Sequence, residues 1–306
     1  MSLTENQKYL IKTIAENKFD LAREYALSCL EEDKTQKNKV FCAAYKRVLE
    51  KPVNKFIELP NHLKGILCVE DVSKTFKENR YYISDREKKI FDNIIKSKKV
   101  NDKLMEMGIP YLNSTLLFGD SGTGKTTFGK YVAYKMNLPF CYLNFSKLVD
   151  SYMGGTSKNI SEAFKYAINN PCVFMLDEVD CISIERSSSN DSGPSGEMAR
   201  ITITLMQEFD KLSNDVVVLG ATNRIDRIDK ALLRRFSIRH EVKMLSYKER
   251  VEMINMYLSD INFVFSDEII HNIAKLDRSQ GELINKLIRL ISNKIYVDMN
   301  IDLKSV

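Results

Sequence analysis

Thr115-Leu-Leu-Phe118-Gly119-Asp-Ser-Gly-Thr-Gly124-Lys125-Thr126-Thr127 runs from a short apolar segment through a glycine-rich turn into a helical pattern that reaches about Lys135. Residues 119–126 fit the spacing G-x-x-x-x-G-K-[ST], and the flanking segments supply the strand and helix this spacing requires. Glycines let successive backbone N–H groups converge on an anion at a helix N-terminus. Asp120, Ser121, Gly122, Thr123, Gly124, Lys125, Thr126 and Thr127 therefore read as a cradle for the phosphates of a nucleotide. Within it Lys125 supplies a point charge to the β/γ-phosphates, and the Thr126 hydroxyl supplies a ligand to Mg²⁺.

Working outward, four more apolar runs follow the same alternation with helical stretches. They are Phe140–Leu143, Cys172–Leu176, Val216–Leu219 and a short one near His240–Val242. Short runs bounded by polar residues and spaced by helices predict a parallel sheet covered on both faces, hence an α/β fold. The run Cys172–Leu176 leads into Asp177-Glu178, two carboxylates at the tip where open parallel sheets bind ligands. Side chains alternate along a strand, so the pair can divide the work. Asp177 orients the metal and Glu178 polarises the attacking water. The run Val216–Leu219 leads through Gly-Ala to Thr222-Asn223, an amide able to reach the γ-phosphate or the water. After it Arg234 and Arg235 stand together beyond a short amphipathic stretch, placed to stabilise transition-state charge on a phosphate.

The rest of the chain frames that core. Residues 1–50 carry apolar positions at three- and four-residue steps and predict a small helical region, with a turn at Asn17-Lys18. Pro52 and Pro60 mark residues 51–80 as a linker. A helix is expected from Ser84-Asp85 to about Met107, the α/β core covers 81–244, and residues 245–306 are helical only. The 306 residues carry 46 Lys+Arg against 41 Asp+Glu, a net charge of +5. Residues 1–80 hold 15 basic and 12 acidic groups, so no dense basic stripe suggests a nucleic-acid binder. No window of 18 apolar residues exists and the N-terminus lacks a secretory pattern, so a soluble cytoplasmic protein without a membrane span is expected. Six cysteines, none at C-x-x-C spacing, read as free, buried thiols of a reducing compartment.

Taken together these motifs resemble the AAA-family ATPases, in the narrower AAA subgroup rather than the wider AAA+ set, and in particular short stand-alone bacterial and phage members. Gly119–Thr126 matches the family's Walker A, Asp177-Glu178-Val-Asp180 its Walker B, Asn223 its sensor-1 position, and Arg200–Phe236 its second region of homology. Tyr152-Met153-Gly154-Gly155 matches the first pore loop, and Ser187–Gly196 corresponds to the second. The resemblance implies a P-loop NTPase fold with five parallel strands in the order 5-1-4-3-2, an α-helical lid and ATP with Mg²⁺ as cofactors. It also implies a homo-oligomer, a hexameric ring, with Arg234 or Arg235 acting on a neighbour's nucleotide. Tyr152 and Met153 would grip a protein substrate in the central pore, and a separate protease or adaptor would be a partner.

Three departures from the family pattern stand out. Asp120 and Ser121 replace the usual prolines, the two arginines are adjacent, so which is the principal finger is open, and Ser279-Gln-Gly281-Glu-Leu offers no sensor-2 arginine. Gly281 is the adenine neighbour expected at that position. The resulting function is Mg-dependent ATP hydrolysis coupled to remodelling of a protein. A nucleic-acid-acting motor or loader and a nucleotide-gated scaffold are the alternatives.

Overall fold

The computed structural model describes residues 3–15, 19–33, 35–50, 59, 63–109, 111–146, 148, 155–182, 194–212 and 216–302. The chain divides into two compact units, Met1–Phe56 and Ile57–Val306. Among the described residues the first holds three α-helices, Glu5–Ala15, Phe19–Glu32 and Lys39–Glu50. The Tyr9 and Tyr25 rings stack at 5.2 Å to join the first two. The expected turn at Asn17-Lys18 lies outside the described residues.

In the second unit six strands of the described residues form one sheet: β1 (Leu67–Glu70), β2 (Ser114–Phe118), β3 (Phe140–Asn144), β4 (Val173–Asp177), β5 (Val217–Thr222) and β6 (Ile238–Glu241). Their order is β1-β3-β4-β5-β2-β6. All neighbours from β3 to β6 are parallel, whereas β1 runs antiparallel to β3. Counted without β1, the parallel strands stand in the order 5-1-4-3-2 that the family resemblance implies.

The added edge strand corrects the reading of 51–80 as a linker. From Leu63 onward this stretch is packed: Leu63, Leu67 and Val72 are buried, and Asp71 caps a helical turn at Val72–Thr75 by accepting from the Ser73 N–H. Four residues, Leu-Cys-Val-Glu, are too few to show a period, so β1 is set by its partner β3 rather than by its own pattern. The second correction concerns Ser187–Gly196. Residues 187–193 lie outside the described residues, but the last three open the helix Pro194–Phe209 rather than ending a loop.

Alternation along the strands divides the core into two layers. Leu116, Cys141, Leu143, Phe174, Leu176 and Val218 face one side, where the helices Thr156–Asn169 and Pro194–Phe209 cover them. Leu117, Phe140, Val173, Met175, Val217 and Leu219 face the other, under the helices Asp85–Glu106 and Lys125–Met136. Beyond the sheet Tyr247–Asp260, Asp267–Ala274 and Gln280–Asp302 pack on Met253, Ile254, Leu258, Ile273 and Leu287 as a separate lid. Ser246 starts the lid with a capping box to Glu249.

Of the six free cysteines only Cys141 and Cys172 are buried; Cys68 is exposed and the remaining three are half-buried. Cys68 lies in the edge strand β1, Cys29 and Cys42 on helices of the first unit, and Cys181 in the turn after β4.

Gly220 lies mid-strand in β5 because no side chain fits there. A Cβ would stand 2.6 Å from the Phe236 ring and 2.9 Å from Leu116 Cδ1. Gly220→Ala is expected to destabilise the second unit by about 1–3 kcal/mol through overpacking, read as a lowered calorimetric Tm.

Candidate functional site

The polar groups gather where β2, β4 and β5 end. After Phe118 the chain turns through Gly119, Gly122 and Gly124 at φ +140°, +78° and +94°, a backbone path that L side chains rarely follow. At Gly119 a Cβ would also collide with the carbonyl oxygen of Val242, so the close approach of the residue that follows β6 fixes this glycine twice over. The Thr123 hydroxyl donates to the Asp120 carbonyl at 2.9 Å. Lys125 is almost buried, and its Nζ donates to the carbonyls of Gly119 and Asp120, each at 2.8 Å. The loop is thus folded around its own lysine. Burial pushes the Lys125 pKa down, against the opposing pull of Asp177, Asp120 and Asp180.

Asp177 is the hub. Its Oδ2 accepts from the Thr126 hydroxyl at 2.8 Å and from the Tyr142 phenol at 3.1 Å, and its Oδ1 accepts from the Glu178 N–H at 2.9 Å. A threonine hydroxyl and a carboxylate oxygen this close, beside a phosphate cradle, form the sparse set of hard oxygen donors that suits Mg²⁺. Glu178 leaves the strand at φ +57°, ψ +42°, a left-handed conformation uncommon for a residue with a Cβ. That turn separates its direction from that of Asp177.

At the tip of β5, Thr222 is buried; its hydroxyl donates to Asp180 Oδ1 at 2.6 Å and accepts from the Arg224 N–H at 2.9 Å. These bonds pin both sides of Asn223, which is itself exposed.

A cleft of about 500 Å³ runs from this cradle to the lid. Ser121, Gly122, Thr123, Gly124, Lys125, Thr126, Thr127, Asp177, Glu178 and Asn223 line one end. Asp120 is not among the lining side chains and contributes through its carbonyl. Tyr81, Tyr82 and Glu87 form the opposite wall with Met253, Gln280, Gly281 and Ile284 of the lid. Glu87 is fixed from two sides, by the Ser84 hydroxyl and by His240 Nε2 at 3.2 Å. The Gly281 N–H donates to the Gly122 carbonyl at 3.1 Å, tying lid to loop.

Arg234 and Arg235 lie outside the cleft, and they differ. Arg235 makes a two-pronged bond to Asp210 at 2.9 and 2.8 Å and donates to the Ala231 carbonyl, whereas Arg234 is exposed. Tyr152 and Met153 lie outside the described residues.

Sequence reasoning missed Tyr142, Asn144, Tyr81, Tyr82, Glu87 and Gln280. The Ser84-x-x-Glu87 spacing marks a helix start and gives no sign that Glu87 faces a cleft. Tyr142 reads as one more apolar residue of a buried strand.

Residues 115–244 match the family described as "ATPase family associated with various cellular activities (AAA)". Residues 115–244 are an AAA domain. Its relatives include the proteasome-activating nucleotidase of Methanosphaerula palustris, 37% identical over 181 residues, which are 58% of this chain and 44% of that protein. The ATP-dependent zinc metalloprotease FtsH of Lancefieldella parvula is 33% identical over 199 residues, 63% of this chain and 30% of the relative. The peroxisomal ATPase pex6 of Schizosaccharomyces pombe is 39% identical over 137 residues, 43% of this chain and 14% of the relative. The chain therefore spans less than half the length of each of these proteins. Among solved structures, the crystal structure of the FIGL-1 AAA domain superposes with a TM-score of 0.56 at 21% identity, covering 72% of this chain and 74% of that one, and this shows the fold. Among the described residues no helix is long and apolar enough to cross a membrane.

Within the AAA domain, Thr222→Val is expected to leave Asp180 Oδ1 and the Arg224 N–H without a partner. The loss is about 1–3 kcal/mol, measured by denaturant titration. Turnover should fall more than nucleotide affinity, because the strand tip carrying Asn223 loosens.

Proposed function

We propose that this chain hydrolyses ATP with Mg²⁺ in a ring of identical copies and uses the cycle to remodel or unfold a protein. One observation carries the reading: the cradle, the Asp177-Glu178 pair and Asn223 meet in a single cleft, while the arginines that such a site needs lie outside it. A neighbouring copy is their natural point of action.

In this cycle the backbone N–H groups of the glycine-rich loop and the Lys125 ammonium bind the β- and γ-phosphates. Thr126 and Asp177 are the residues that would hold Mg²⁺, which supplies charge neutralisation on the phosphates. Glu178 accepts the proton of the attacking water as its oxygen bonds to the γ-phosphorus. The bond from that phosphorus to the bridging oxygen breaks, and ADP and phosphate leave. Asn223 orients the water or the γ-phosphate. The apolar lid wall and Tyr81 and Tyr82 receive the base.

A protein substrate is favoured over a nucleic acid by the names of the relatives, a proteasome activator and a protease, and by the mild net charge of +5. Tyr152 and Met153 are the residues proposed to grip it, and a separate protease or adaptor is the proposed partner.

Two measurements test the reading. Specific ATPase activity is expected to fall as the protein is diluted and the ring separates, and Glu178→Gln is expected to bind ATP without turning it over. Equal turnover at every dilution would overturn the shared site, and failure to bind ATP would overturn the whole reading.

The arginines provide a separate prediction. Arg235 is committed to Asp210, which leaves Arg234 as the principal finger. Arg234→Ala is expected to lower kcat by about 10³-fold or more with an unchanged Tm. Arg235→Ala is expected to lower Tm, with a smaller effect on kcat.

A further inference from the structure

Asp177 carries a restraint that neither the phosphate loop nor its own strand provides. Residues 140, 142 and 144 of β3 face the same side of the sheet as residues 173, 175 and 177 of β4, and Asn144 pairs in register with Asp177. The Tyr142 side chain therefore lies diagonally behind the carboxylate. Its hydroxyl reaches Asp177 Oδ2 at 3.1 Å, and Asn144 Nδ2 donates to that hydroxyl at 3.1 Å. A phenol has one proton to give. With Asn144 donating to its oxygen, that proton is directed at Asp177. The same Oδ2 also accepts from Thr126, the other proposed metal ligand.

We propose that Tyr142 is a positioning residue for Mg²⁺: its phenol, steered by Asn144, holds the Asp177 carboxylate in the orientation that the ion requires beside Thr126. The inference rests on the reading of Thr126 and Asp177 as the metal-binding pair. Mg²⁺ demands near-ideal octahedral geometry and takes few protein ligands, so a ligand free to rotate costs it more than it would cost Ca²⁺. Outer partners that orient a ligand are typically worth 10–100-fold in metal affinity. A neutral donor suits this place, because it fixes the carboxylate without cancelling the charge that attracts the cation. The ring contributes separately: it packs partly buried on the layer beneath the helix Lys125–Met136, 6.1 Å from the Phe140 ring. Tyr142→Phe removes the hydroxyl and keeps that packing.

The test measures ATP affinity by equilibrium titration in a Glu178→Gln background, once with EDTA and once with saturating Mg²⁺. The ratio of the two affinities is the coupling between metal and nucleotide. Tyr142→Phe is expected to reduce this ratio about tenfold and to leave the EDTA affinity within about twofold. Asn144→Ala is expected to reduce it in the same direction by less. An unchanged ratio in Tyr142→Phe overturns the proposal. So does an equal loss of affinity with and without Mg²⁺, which marks a packing role. Should Tyr142→Phe fail to fold, Asn144→Ala decides by the same ratio. If the Glu178→Gln parent itself shows no ATP binding or no effect of Mg²⁺, the proposed metal pair falls rather than the role of Tyr142.

Discussion

A sheet buried on both faces leaves its polar side chains one place to go, the strand ends. That constraint governs the second unit. β2, β4 and β5 are apolar on both layers, so Lys125, Asp177, Glu178, Thr222 and Asn223 gather along one edge of the sheet. The strand order then brings them together. β5 separates β2 from β4, and yet Thr126 and Asp177, 51 residues apart in the chain, meet at 2.8 Å because the loop after β2 reaches across the gap. Hydrogen bonds make the geometry firm at Lys125, Asp177 and Thr222, each held by a partner, since an unpaired polar atom buried there costs free energy.

Much of this was legible in the sequence, for identifiable reasons. The cradle was readable because glycine spacing, lysine and threonine each answer a separate steric or electrostatic need, and the flanking strand and helix supply the context. The parallel strands were readable because two-face burial makes short, continuous apolar runs. Helices from Asp85 onward were readable by their period and their caps, as at Ser246.

What escaped the sequence depends on contacts made at long range. β1 exists because β3 offers it an edge. The base end of the cleft joins residues 80–87 to lid residues more than 150 positions later, a convergence no local pattern encodes. The two arginines look alike as letters, and only the place of Asp210 at the end of the helix Pro194–Phe209 distinguishes them. Tyr142 is the sharpest case. Its ring obeys the strand pattern so well that its hydroxyl, the part with chemical consequence, leaves no trace in it.

The bond between the Gly281 N–H and the Gly122 carbonyl has a mechanical meaning. Gly281 stands at the start of a helix of 23 residues, which at 1.5 Å per residue is about 34 Å long. Any displacement of the loop is thus applied at the short end of a long lever. A tilt of about 5° there would sweep the far tip through roughly 3 Å on that same rise per residue. An ångström-scale displacement at the phosphate loop would thereby be carried along this helix to its far end.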